Sequence, residues 1–343
     1  MICSRVSIII LNWNGWKDTI ECLESVYQNA YANYEVLVVD NGSKDNSIEM
    51  IKKWASGDEK ILSSYFTYSK KNKPIKYFEY TKKELELRTY LRGKKKLDPL
   101  PSNRKLFIIN NDKNYGFAEG NNIAIRQVLN ENKSDYLFLL NNDTYIPKDT
   151  ISKFVNSYIG NNKIAIVGAK ILSYSDKTFQ IGAKYVNFYT CAERNVNSNN
   201  SVFSDSISGC AFMVKLSNIS GVKPLFDPYY FCYYEDLDFF QNYKKNGYRI
   251  LYNPDIEIFH KLSKSTGGDS SRSMFRYYYI WRNRLYFVGK NATKFKKTIF
   301  FLYFFLIYIP FIRIPASLVK YRSIKEIRVF FEAINDYFKR RET

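Results

Sequence analysis

Short apolar runs rich in β-branched residues recur through the first half of the chain, at residues 6–11, 36–39, 106–109, 136–140 and 164–167. None alternates strictly between apolar and polar positions, which is the pattern of strands covered on both faces. Helical spacing fills several of the intervals. Ile20, Leu23 and Tyr27 repeat at i, i+3 and i+4 steps, as do Ile48, Ile51 and Trp54, and a third helix is expected over residues 121–129. Strand, helix, strand in this order predicts right-handed crossovers and an α/β fold with a mainly parallel central sheet.

Four of the runs stop at a polar residue: Asn12, Asp40, Asn110 and Asn141. An open α/β sheet binds its ligand outside the carboxyl ends of its strands, so these residues outline a candidate site. The other reading is that they are turn formers, a role Asn and Asp favour. Residues 56–105 interrupt the rhythm and read as an insertion whose lysines form a solvated face.

The chain has 343 residues, enough for one large domain or two moderate ones, and a formal charge of +19 that favours anionic partners. Five scattered cysteines without a C-x-x-C pair argue against a disulfide framework or a zinc site and fit a reducing compartment. No signal-peptide pattern precedes the first strand-like run, so a cytoplasmic location is expected. Toward the C-terminus, Arg276, Arg282, Arg284, Lys290, Lys294, Lys296 and Lys297 lead into an aromatic, aliphatic run at residues 299–312, broken by Pro310, Arg313 and Pro315. That run is shorter than the ~20 apolar residues of a spanning helix. A helix lying in the interface of an anionic membrane is the expectation, with a buried helix or oligomer contact as the alternative.

The chemistry-bearing segments are residues 6–14 (VSIIILNWN), 38–45 (VVDNGSKD), 114–122 (NYGFAEGNN), 139–143 (LLNND) and 234–238 (YEDLD). In this order they resemble the family 2 glycosyltransferases, and more narrowly their rhamnosyltransferase-type branch, over residues 6–292. The resemblance implies the GT-A fold, a nucleoside-diphosphate sugar donor and inversion at the anomeric carbon. It also implies that Asp40 holds the base, with Asn12 lining the same pocket, while Ser43 and Asp45 read as caps of the next helix. Gly116, Asn121, Asn122 and Asn142 become donor-binding candidates, since glycines allow close backbone approach and a helix N-terminus favours anions.

Asn141-Asn142-Asp143 matches the family's Asp-x-Asp motif for Mg²⁺ or Mn²⁺, with Asn141 in place of the first carboxylate. Asp143 is then the remaining metal ligand, and the need for metal stays open. His260, the only histidine, is read either as structural or as a ligand beside the metal and diphosphate. Glu235-Asp236 matches the acidic pair that supplies the catalytic base, Asp236 taking the acceptor's proton, with Glu235 and Asp238 raising its pKa. Asn242 stands where the family often has Arg. Cys210 lacks a basic partner and is not expected to be a nucleophile.

The resulting expectation is a GT-A glycosyltransferase domain over residues 1–275, followed by a basic, aromatic helical region over 276–343. Its partners would be a nucleotide-sugar donor, a glycan or lipid-linked glycan acceptor and the cytoplasmic face of an anionic membrane. A nucleic-acid binder leaves the acidic motifs unexplained and has no recognisable binding signature. A catalytically impaired, nucleotide-sugar-binding subunit is the competing reading that Asn141 and Asn242 permit.

Overall fold

The computed structural model describes residues 4–97, 99–217, 219–261, 274–317 and 324–339. In chain order its first elements are β1 (Val6–Asn12), α1 (Trp16–Tyr27), β2 (Tyr34–Asp40), α2 (Ser47–Ser56), β3 (Lys76–Thr81), α3 (Lys82–Glu86), α4 (Leu91–Leu97), β4 (Lys105–Asn110), α5 (Gly116–Glu131) and β5 (Tyr136–Asn141). There follow β6 (Thr144–Tyr145), α6 (Thr150–Asn156), β7 (Ile164–Ser173), β8 (Phe179–Ile181), β9 (Ala183–Asn187), β10 (Ala192–Val196), β11 (Val202–Ser204) and β12 (Ala211–Lys215). The last are α7 (Glu235–Lys245), β13 (Arg249–His260), α8 (Met274–Asn291), α9 (Lys294–Tyr303) and α10 (Ile324–Lys339).

The main sheet runs in the order β11-β13-β7-β12-β5-β1-β2-β4-β3. Strands β5, β1, β2, β4 and β3 are mutually parallel, and β12 enters antiparallel between β5 and β7. The strands β1 and β2 are buried on both faces, as their unbroken apolar runs require. One hydrophobic cluster takes alternate residues Ile8, Ile10, Val36 and Val38 against α1 and α2; the opposite cluster takes Ile9, Leu37 and Val39 against α5. Register aligns Asn12 with Asp40, Asp40 with Asn110, and Leu11 with Asn141. All four polar strand ends therefore lie along one rim.

Two sequence expectations change. The insertion supplies a parallel edge strand, β3, and its lysines are not all solvated. Lys94 is buried between Glu35 at 3.1 Å and Glu131 at 2.5 Å, and Lys73 between Glu24 and the face of Trp54. The C-terminal apolar run is joined to the lysines before it as one helix, Lys294–Arg313, whose second half (Phe304–Arg313) is π-helical. The helix has 20 residues, and an 18-residue stretch of it has mean hydropathy 1.6, long and apolar enough to cross a membrane, with 17% of that stretch buried.

Candidate active site

The rim between β1 and β2 carries a hydrogen-bonded chain. Asp40 Oδ1 accepts from Asn12 Nδ2 and from Ser43 Oγ, both at 2.6 Å, while Oδ2 accepts from the Ser43 amide at 3.0 Å. Asn12 Oδ1 accepts from Thr19 Oγ1 at 2.7 Å, and Thr19 in turn accepts from Asn142 Nδ2 at 3.0 Å. Ser43 is thus part of the rim rather than a helix cap; α2 begins after Asn46, and Asp45 accepts from Ser47. Thr19 was not legible as a rim residue, because one of its partners, Asn142, comes from 123 positions away.

The segment ahead of α5 is organised by protein rather than presented to solvent. Asn41 donates to Asn114 Oδ1 and the Gly116 carbonyl, both at 3.0 Å, and accepts from the Tyr115 amide. The first helical amides, Phe117 and Ala118, donate to the Phe231 carbonyl at 2.6 and 3.1 Å, so this helix end is already capped. Gly116 has φ +77°, and a Cβ there would meet that same carbonyl oxygen at 2.5 Å. The glycine is required by a neighbouring loop, whatever else it approaches. Asn121 donates to Phe117 O within its own helix. Asn122 is buried and doubly bonded to the Phe226 backbone, giving at 2.9 Å and accepting at 2.8 Å, which pins the loop before α7.

Pairing of β6 with the end of β13 sets Thr144 opposite His260 and brings Asp143 beside it. His260 Nε2 lies 3.2 Å from Asp143 Oδ1, and both residues are buried, at 8% and 3% exposure. Yet neither imidazole nitrogen is in hydrogen-bonding geometry with any group, and Asp143 Oδ2 also lacks a partner, among the described residues. Buried polar atoms are rarely left so. No group of three or more His, Cys, Asp and Glu residues gathers into a metal cage among the described residues. One carboxylate and one imidazole do suit a hard divalent ion that completes its shell with phosphate oxygens.

The acidic pair reaches this place through residues 208–210. The Asn141 amide donates to the Cys210 carbonyl at 2.7 Å, and Gly209 lies so close to Asp236 that a Cβ would collide with its carboxylate. Burial drives the Glu235 carboxyl well above the usual carboxylate range, and the Asp236 charge adds to this. Burial also raises Asp236; Lys184 pulls it back and Glu193 pushes it further up. Glu235 Oε2 has no partner among the described residues. Asp238 is placed otherwise than expected: it bonds Lys290 at 2.7 Å and Asn291 at 2.6 Å, serving as a brace for α8. Burial pushes the Cys210 thiol up to about 12, in keeping with an inert cysteine.

Lys184 and Glu193 were not legible as site residues. They face one another at 3.0 Å across the β9–β10 hairpin, and no local motif marks either. The same hairpin lines an open groove of ~530 Å³ with Tyr185, Phe188, Tyr189, Glu193, Arg194 and Lys296.

Comparison with known proteins gives one family match and a consistent set of structural neighbours. The model of the family described as "Glycosyl transferase family 2" matches residues 7–73 and 90–218, so the acidic pair and His260 lie beyond the matched residues. The glycosyltransferase GlyG of Streptococcus pneumoniae is 32% identical over 56 residues, which span 16% of this chain and 19% of that protein. Residues 1–349 of S. aureus TarS superpose with TM-score 0.54 at 15% identity, covering 97% of this chain and 80% of that one; the same protein is also known in complex with UDP. A mannosyltransferase from Pyrobaculum calidifontis, in complex with GDP-Man and Mn²⁺, gives TM-score 0.51 at 13% identity over 97% and 73%. At these identities the superpositions show the fold alone.

Proposed function

The chain belongs to glycosyl transferase family 2 and is a glycosyltransferase of the GT-A fold; on that premise we propose that it moves a sugar from a nucleoside diphosphate to a hydroxyl of a glycan acceptor, with inversion. The observation that carries the reading is the convergence of Asp40, of Asp143 and His260 with their unsatisfied Oδ2 and imidazole nitrogens, and of the buried acidic pair, in which Glu235 Oε2 is also unsatisfied among the described residues. UDP and GDP-Man are bound by the neighbours named above, which supports a nucleotide-sugar donor. A dTDP-rhamnose donor is the narrower proposal, from the branch resemblance.

Asp40, fixed by Asn12 and Ser43, accepts hydrogen bonds from the base or ribose. Asp143 and His260 would hold Mg²⁺ or Mn²⁺, whose charge offsets that of the departing diphosphate. Asp236 takes the acceptor hydroxyl's proton as that oxygen forms its bond to the anomeric carbon and the bond to the diphosphate oxygen breaks on the opposite side. Burial lifts the Glu235 carboxyl and the neighbouring Asp236 charge lifts it further, whereas Lys184 draws Asp236 back, so Asp236 is assigned as the carboxylate of the pair. The groove on the β9–β10 hairpin offers aromatic faces for a sugar and two cations, Arg194 and Lys296, for an anionic group on the acceptor. Its neighbour α9 carries the exposed apolar face, so a lipid-linked acceptor at the cytoplasmic membrane surface completes the proposal.

Incubation with UDP-, GDP- and dTDP-sugars plus Mg²⁺, Mn²⁺ or EDTA, with nucleoside diphosphate release as readout, tests this. Metal-dependent release from one donor, lost in Asp236→Asn, is expected. Donor binding without release, despite a lipid-linked glycan extract, would favour the impaired binding subunit that Asn141 suggests.

A further inference from the structure

The acidic pair opens α7 directly from a backbone segment that cannot hold its shape unaided. Phe231, Tyr233 and Tyr234 have φ of 61°, 65° and 72°, a region that bulky residues rarely enter. Such conformations persist where the surroundings over-determine them. Here the surroundings are one face of α8, which lies outside the residues matched by the family model.

Asn283 is fully buried, and its Nδ2 stands 2.9, 2.7 and 2.8 Å from the carbonyl oxygens of Tyr230, Cys232 and Tyr233. Its Oδ1 accepts from Arg282 Nε and Nη2 at 3.0 and 2.8 Å. The same guanidinium donates to the Tyr229 and Tyr230 carbonyls at 2.5 and 3.1 Å and lies over the Tyr229 and Tyr279 rings. One and two turns later, Tyr286 and Lys290 bond Asp227, while Lys290 and Asn291 bond Asp238. One helix face thus grips both ends and the middle of residues 227–238. On its other side the segment meets α5 through the Phe231 carbonyl.

We propose that Arg282 and Asn283 are positioning residues for the acidic pair: by holding the carbonyls of residues 229–233 they fix the turn that launches α7 and so set where Glu235 and Asp236 point. The inference rests on the transferase reading and assigns α8 to the frame of the active site.

The test compares Asn283→Ala with Tyr286→Phe, which removes the hydroxyl that bonds Asp227 and leaves the Arg282 and Asn283 contacts in place, using the donor identified above. A misplacement near 1 Å can cost about 100-fold in rate. Asn283→Ala is therefore expected to lower kcat by about 100-fold while donor KM, set at the β1–β2 rim, stays within about threefold. Its pH–rate profile should shift as well, because the groups facing Asp236 (Glu235, Lys184, Glu193 and Cys210) would be re-spaced. Tyr286→Phe should keep kcat and the profile. Wild-type kcat in Asn283→Ala, or equal loss of kcat, donor affinity and melting temperature in both variants, would overturn the proposal. If Asn283→Ala does not fold, Arg282→Lys keeps the charge but cannot span two carbonyls, and the same split is expected. If the wild type turns over no donor, the transferase reading falls, and alkylation of the half-buried Cys232 still reads the brace. Faster alkylation in Asn283→Ala supports it, and an unchanged rate overturns it.

Discussion

Asp236 concentrates the chemistry at the scale of one residue. Its carboxyl is lifted above the ordinary Asp value by burial, while Lys184 draws it back and Glu193 pushes it further up. A base works only when deprotonated, so the rate should fall as pH drops through that raised value and plateau above it. Lys184→Met removes the cation and should move the acid limb to higher pH, which a pH–rate profile measures directly. Asp236→Asn should lower kcat by about 10²–10⁴, the usual worth of a positioned general base. Asp143 and His260 make a separate prediction. Loss of an outer-shell partner weakens metal binding roughly 10–100-fold, and loss of a ligand should cost at least that. His260→Ala should therefore raise the Mn²⁺ concentration for half-maximal activity, or the Kd by calorimetry, by at least about tenfold. An unchanged Mn²⁺ response would return His260 to a structural role.

Elements show which parts of the fold local pattern can reveal. The strands β1, β2, β4, β5 and β7 were legible because burial on both faces leaves continuous apolar runs. Their common rim was legible because parallel strands end together. Edge strand β3 (Lys76–Thr81) was not: its exposed Lys76 and Tyr77 carry no core signal, and only pairing with β4 makes it a strand. Strand β12 was not read from the sequence, and its reversed direction is set by connections rather than by its residues. Gly116 shows the same limit within the site. Its glycine was visible, but the Phe231 carbonyl that demands it comes from more than a hundred positions away.

The insertion's buried lysine gives an element-scale prediction. Burial alone would raise the Glu35 carboxyl, but Lys94, Arg5 and the Ser7 hydroxyl outweigh it and hold the carboxyl at about 2. A carboxylate depressed on folding contributes stability above its unfolded pKa and loses it as pH falls toward the folded value. This network should accordingly fail between about pH 4.5 and 2. Lys94→Met takes away the buried cation that Glu35 and Glu131 share, leaving Glu35 with Arg5, and should cost about 3–5 kcal/mol at neutral pH, read by urea denaturation. The double variant Lys94→Met/Glu35→Gln should recover part of that loss, because it removes one of the two buried carboxylate charges that Lys94 offset.

At the scale of the whole molecule, the formal charge of +19 and the exposed face of Lys294–Arg313 act on the same partner. Phe300, Phe304 and Ile309 turn inward against Trp281 and Phe330, so this helix is anchored to α8 and α10. Phe295, Leu302, Leu306, Ile307 and Phe311 remain exposed on it, with Phe331 and Phe338 on α10 nearby. Burying one large apolar side chain contributes about 1.5–3 kcal/mol, and each basic residue near an anionic surface about 1 kcal/mol. Two or three of each already outweigh the marginal binding that a single lipid chain provides. The protein should therefore float with phosphatidylglycerol-containing vesicles at low salt and much less with phosphatidylcholine alone. Leu306→Glu/Phe311→Glu should release it without altering donor hydrolysis, since neither side chain approaches the rim. Alkaline carbonate then separates two modes of attachment. A helix lying in the interface is stripped by it, whereas a spanning one stays with the lipid. Because the inward face of the helix is committed to α8 and α10, stripping is the expected result, and retention would mean that Lys294–Arg313 leaves those partners to enter the bilayer.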